Sequence, residues 1–163
     1  MSHLIRMSVL ASGSTGNATY VESDKGSLLV DVGLTGKKMK ELFSQIDRNI
    51  EDLNGILVTH EHIDHIKGLG VLARKYKLPV YANENTWKAI DKKDGKIPMD
   101  QKFIFNPYDT QSIAGFDIES FNVSHDAIDP QFYIFHNNYN KFTMITDTGY
   151  VSARMKGMIQ GSY

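Results

Sequence analysis

Apolar positions in this chain form short runs bounded by small polar clusters, with strand-like runs early and strands mixed with helices later. Residues 5–10 read as a strand that enters the loop Ser12-Gly13-Ser14-Thr15-Gly16-Asn17. Residues 19–22 and 27–32 read as a hairpin turned at Ser23-Asp24-Lys25-Gly26, its second strand ending at Asp31. A helix is predicted over 37–43, with Thr35 as its N-cap. The run Gly55-Ile56-Leu57-Val58 reads as a buried strand over 56–58. Beyond it, 68–77 has helical spacing, with Leu69, Leu72 and Tyr76 on one face.

A short strand over 78–81, a helix over 85–92 and a strand over 116–123 follow. A hairpin over 132–135 and 142–145 turns at Asn137-Asn138, and the tail over 152–159 reads as a short helix. No repeat, low-complexity stretch or internal linker interrupts the pattern. Sheets flanked by helices are the expected architecture.

Composition narrows the classes. The 163 residues are 41% apolar and 23% charged, as in a globular chain with a real core. A formal charge of -1 gives no global pull toward nucleic acid, although a local basic patch would suffice. With no cysteine, any metal must be held by nitrogen and oxygen. No apolar run has the length of a membrane span, and the start Met1-Ser2-His3-Leu4-Ile5-Arg6 has no signal-peptide core, so a cytoplasmic location is expected.

The predicted strand at 56–58 delivers Thr59-His60-Glu61-His62-Ile63-Asp64-His65. Packing does not explain three imidazoles beside carboxylates in so short a stretch. Imidazole with carboxylate is the ligand set of zinc, manganese or iron. In extended backbone His60 and His62 point the same way and suit one ion. Asp64 and His65, being adjacent, are expected to point apart and suit a second. His125 is a candidate third nitrogen for the first ion, and Asp147 a candidate bridge between the two. Asp31, at a strand end, is expected to orient the His loop from behind together with Thr59.

Each of these has a plainer alternative. A polar surface loop can be rich in histidine, and Asp31 can be a turn residue. The Ser12, Gly13, Ser14 and Asn17 loop is a candidate phosphate cradle, but it lacks the lysine of a P-loop and can be an ordinary turn. His136 is expected to pack or face water, and His3 to lie at a loose end. Trp87, Phe132, Tyr133 and Phe135 are expected to be core rather than a base-stacking platform. Lys37, Lys38 and Lys40 are expected on a solvated helix face. Asp147-Thr148-Gly149 also matches the aspartic-protease triplet, but that chemistry needs two such carboxylates and leaves the histidines unexplained.

Taken together, Thr59 to His65 with His125 and Asp147 resembles the His-x-His-x-Asp-His signature of the metallo-β-lactamase superfamily. The Ser12-to-Asn17 loop, Leu29-Val30-Asp31-Val32-Gly33, Ser124-His125-Asp126 and Thr146-Asp147-Thr148-Gly149-Tyr150 look like its YycJ/WalJ branch. The resemblance implies an α/β fold, an αββα sandwich with two divalent metal ions at one edge. It implies His60, His62 and His125 on the first ion, Asp64 and His65 on the second, and Asp147 bridging. It further implies a 5′-to-3′ DNA exonuclease of a bacterial cytoplasm, with links to DNA mismatch repair and cell-wall regulatory operons. A thioester, lactone or small phosphodiester substrate, or an inactive metal-binding fragment, is the competing expectation. Members of the branch run on well beyond this length. Residues 1–163 are therefore expected to be the N-terminal half to two-thirds of one such domain, completed by a further segment or a partner chain.

Overall fold

The computed structural model describes residues 5–93, 96–122 and 131–136, and the backbone of 141–144. Among the described residues, ten strands form two sheets. The first holds β1 (Arg6–Ala11), β2 (Ala18–Glu22), β3 (Ser27–Val30), β4 (Ile56–Leu57), β5 (Val80–Ala82) and β6 (Lys102–Ile104), in that spatial order. The second holds β7 (Thr110–Ile113), β8 (Phe116–Asn122), β9 (Gln131–His136) and β10 (Lys141–Met144), in the order β10-β9-β8-β7.

The first three strands are antiparallel neighbours, whereas β3, β4, β5 and β6 pair in parallel. Parallel neighbours need a crossover, and helices supply it. α1 (Gly36–Gln45) joins β3 to β4, α2 (Ile63–Ile66) and α3 (Leu69–Tyr76) join β4 to β5, and α4 (Glu84–Lys93) joins β5 to β6. Alternation along the strands sorts the two cores. Leu29 and Ile56 face Met39 and Phe43 of α1, Leu69 and Leu72 of α3, and Trp87 and Ile90 of α4. Leu28, Val30 and Leu57 face Phe116, Ile118, Tyr133 and Phe135 of the second sheet. Each large side chain so buried contributes about 2 kcal/mol before its ordering cost. The result is a layer of helices on one sheet, with a second sheet behind.

Several expectations hold in detail. The hairpin of β2 and β3 forms, and Thr35 Oγ1 accepts from Lys38 N at 3.3 Å to cap α1. Trp87, Phe132, Tyr133 and Phe135 are core. Lys37, Lys38 and Lys40 lie exposed on α1. Other boundaries shift for physical reasons. β3 stops at Val30 because Asp31 turns into the left-handed region, at φ 65°. The strand expected over 78–81 begins after Pro79, at Val80. β6, β7 and α2 were not expected: β6 and β7 carry largely exposed or half-exposed side chains, and α2 is too short to show a helical period. The tail helix over 152–159 lies outside the described residues, as does the Asn137-Asn138 turn. No helix among the described residues is long and apolar enough to cross a membrane.

Candidate metal centre

Open sheets with parallel strands present their sites at the carboxyl ends of those strands. Here β3 and β4 run in parallel with Val30 opposite Leu57, so Asp31 and Thr59 leave the sheet close together. Asp31 N donates to Leu57 O at 2.8 Å, which ties the exit of β3 to its neighbour. The left-handed backbone at Asp31 then sends its carboxylate across the end of β4.

That carboxylate is buried and fully used. Oδ1 accepts from Thr59 N at 2.8 Å, and Oδ2 accepts from Thr59 Oγ1 at 2.7 Å. Oδ2 also accepts from His65 Nδ1 at 2.6 Å. The Thr59 hydroxyl gives its proton to Asp31, so its oxygen accepts from His60 Nδ1, 2.9 Å away. Both rings therefore carry their proton on Nδ1 and offer Nε2 as the bare nitrogen. One buried carboxylate thus sets the tautomer of two histidines, directly for His65 and through Thr59 for His60.

His60, His62 and Asp64 bring donor atoms within 4.8 Å of one another. The rings of His60 and His65 lie 3.9 Å apart, and those of His60 and His62 lie 5.0 Å apart. Asp64 and His65 were expected to point apart, but His65 Nε2 stands 3.6 Å from Asp64 Oδ2. The extended backbone ends at His62, and α2 begins at Ile63. Successive helical side chains turn by about 100° rather than the 180° of a strand, so Asp64 and His65 share a side. This cluster of imidazole nitrogens and carboxylate oxygen, with the Nδ1 atoms of His60 and His65 oriented by Thr59 and Asp31, fits a first-row divalent cation.

The loop of Ser12, Gly13, Ser14 and Asn17 lies against this cluster. Asn17 is buried, and its side chain is turned inward. Its Oδ1 accepts from Gly13 N at 3.1 Å, and its Nδ2 donates to Gly13 O at 2.9 Å and to Asp64 Oδ2 at 3.1 Å. Asn17 N donates to Asp64 O at 2.7 Å. Asn17 therefore holds a candidate ligand, and Ser12, Gly13, Ser14 and Thr15 are the exposed residues of the loop. Gly33 completes the clamp by donating to Asn17 O at 2.9 Å, while Val32 N donates to His65 O at 2.8 Å. In the sequence Gly33 figured as the last residue of the Leu29-to-Gly33 motif, with no role of its own. Its only signal was a glycine two residues after a strand-end aspartate.

Of the remaining candidates, His125 and Asp147 lie outside the described residues, as do His3 and the Asp147-Thr148-Gly149 triplet. His136 stands at the far end of β9 from Gln131, the residue that bonds Thr59, and its Nε2 faces Glu119 at 3.6 Å.

A family model described as the Metallo-beta-lactamase superfamily matches residues 11–156. The chain is 62% identical over 158 residues to a Bacillus anthracis protein named Exodeoxyribonuclease YycJ, covering 97% of this chain and 60% of that one. It is 52% identical over 159 residues to a Streptococcus pneumoniae protein named Exodeoxyribonuclease WalJ, covering 96% and 59% respectively. The chain thus spans about 60% of the length of these relatives. Among solved structures, the metallo-beta-lactamase fold protein YhfI from Bacillus subtilis superposes with a TM-score of 0.79 at 17% identity, over 98% of this chain and 69% of that one.

Proposed function

Since the chain belongs to the metallo-beta-lactamase superfamily, we propose that it is the metal-binding part of a DNA exonuclease that hydrolyses phosphodiester bonds from the 5′ end. The carrying observation is the Asp31-Thr59 scaffold, which aims His60 and His65 at one strand-end cluster, in a chain similar over most of its length to proteins named exodeoxyribonuclease. His60, His62 and His125 would hold one divalent ion, and Asp64 and His65 a second, with Asp147 between them. The donor set suits zinc or manganese, with iron also compatible.

Bound there, the ions would supply Lewis-acid charge to the phosphate and a water of lowered pKa. The protein's own part is orientation. Asp31 and Thr59 keep Nε2 of His60 and His65 free of a proton, so neither ring needs to reorganise. Asn17 keeps the Asp64 carboxylate from swinging into solvent. Ser12 and Ser14, at the lip of the loop, donate hydrogen bonds to the non-bridging oxygens of the substrate phosphate. The reading places the protein in the cytoplasm with its substrate.

The test uses the intact protein, stripped with a chelator and reloaded with Zn²⁺ or Mn²⁺, on single- and double-stranded DNA labelled at either end. The expected result is metal-dependent release of 5′ nucleotides, lost in Asp64→Ala, with DNA affinity that falls steeply with salt. Hydrolysis of a thioester or small phosphodiester without loss of DNA would overturn it.

A further inference from the structure

A buried polar residue from the second sheet bonds the metal loop through its backbone, without being one of its candidate ligands. Gln131 opens β9 and is 1% exposed. Its N–H donates to Thr59 O at 2.9 Å. Its Nε2 donates to Phe105 O at 2.9 Å and to Tyr133 Oη at 2.7 Å, and its Oε1 accepts from Asn83 Nδ2 at 3.0 Å. Tyr133 Oη, having accepted from Gln131, donates to Val58 O at 2.6 Å. Asn83 is itself fixed by Thr86 N, which donates to its Oδ1 at 2.7 Å.

These bonds share one destination. Val58 and Thr59 follow β4, Asn83 follows β5, and Phe105 follows β6. One glutamine therefore joins three parallel strand ends, and the carbonyls of the two residues before His60 both close on it or on its tyrosine partner. The Thr59 backbone is held at both polar groups: its N–H donates to Asp31 Oδ1, and its C=O accepts from the Gln131 backbone N–H. An apolar residue would fill this inter-sheet space at lower desolvation cost, so the network is worth more as geometry than as burial. Burial also raises the Tyr133 phenol above its ordinary range, which favours the donor form that bonds Val58 O.

We infer that Gln131, with Tyr133, is a positioning residue that sets the Thr59 peptide and hence the aim of His60 at the metal. This rests on the metal-site reading of the preceding subsection. Asp31 governs the tautomer of the ligand rings, whereas Gln131 governs where the His60 backbone lies relative to the second sheet.

The experiment measures Zn²⁺ and Co²⁺ affinity by titration, and the visible Co²⁺ spectrum, on the intact wild-type protein and on Gln131→Met, Tyr133→Phe and Ile118→Val. Gln131→Met keeps the side-chain length and the backbone bond to Thr59 but removes the clamp. Ile118→Val trims the same inter-sheet core without touching the loop. The expected result is roughly a tenfold loss of affinity with an altered Co²⁺ spectrum in Gln131→Met, a smaller loss in Tyr133→Phe, and neither in Ile118→Val. Should Gln131→Met fail to fold, Tyr133→Phe carries the test alone. Wild-type affinity and spectrum in the folded clamp variants would overturn the inference and leave the metal site standing. An equal loss in Ile118→Val would also overturn it, by showing that general core loosening suffices. A wild-type protein that takes up no metal would overturn the metal-site reading and the inference with it.

Discussion

Nδ1 of His65 lies 2.6 Å from Oδ2 of Asp31, with the two side chains 0% and 1% exposed. Asp31→Asn tests what that contact does. The amide keeps an acceptor for Thr59 N but turns a donor toward His65 and the Thr59 hydroxyl. His65 then has to move its proton to Nε2, the nitrogen a metal needs. Metal affinity is expected to fall by about 10- to 100-fold while the fold survives. Metal content per chain after dialysis, with circular dichroism alongside, checks it.

Gly33 allows no side chain. A Cβ there would overlap the Asp64 carbonyl oxygen and come within 2.5 Å of Asn17 N, both backbone atoms that have nowhere to retreat. Gly33→Ala is expected to cost about 2–3 kcal/mol or more of stability, read from urea unfolding. A loss below about 0.5 kcal/mol would show that the clamp between the loops is loose.

Asn17 meets Asp64 as an amide donor at 3.1 Å. Asn17→Asp replaces attraction by repulsion between two carboxylates, and it is expected to be worse than Asn17→Ala in the metal-free protein, by about 1 kcal/mol. Adding a divalent cation should narrow the gap, because the ion offsets the added charge. Thermal midpoints of both variants, with and without Zn²⁺, decide it.

Away from the site, Arg48 donates to Glu22 through Nε at 2.6 Å and Nη2 at 3.2 Å, and Tyr20 donates to the same carboxylate at 2.6 Å. The Arg48 hydrogen bond holds the Glu22 carboxyl below its ordinary range, against a smaller opposing push from burial. A group lowered in this way stabilises the fold above the unfolded pKa, roughly 4.3, and loses that contribution as pH falls through its folded value. Glu22→Gln is therefore expected to cost about 1 kcal/mol at neutral pH, discounted for partial exposure, and progressively less in acid. Urea unfolding from pH 7 down to pH 3 shows whether the two stability curves converge.

The ligand loop was legible because histidine at positions 60, 62 and 65 follows an apolar strand that packing alone would not end so abruptly. Asp31 was legible for the same reason: an acid closing a buried strand is out of place unless it has a partner. What stayed hidden depends on contacts distant in sequence. Nothing local in the Ser12-to-Asn17 loop announces that Asn17 turns inward to Asp64, 47 positions away. The turn that brings Asp64 beside His65 comes from a helix of only 4 residues, too few to register as a period. Gln131 sits at the head of an apolar run and reads as a strand edge until Val58, Phe105 and Asn83 are placed around it. β6 and β7 have too little apolar surface to announce themselves.

The adjoining exits of β3 and β4 also bear on how the molecule assembles. Leu29 meets Ile56 across a parallel ladder, a pairing between segments far apart in the chain, and such contacts form late because loop closure comes first. A slip of one position there would turn every side chain of β4 to the opposite face and carry Thr59 away from Asp31. During refolding, cation capture by the histidines should therefore wait for this ladder to lock in register, so its onset marks completion of the sheet rather than collapse of the chain.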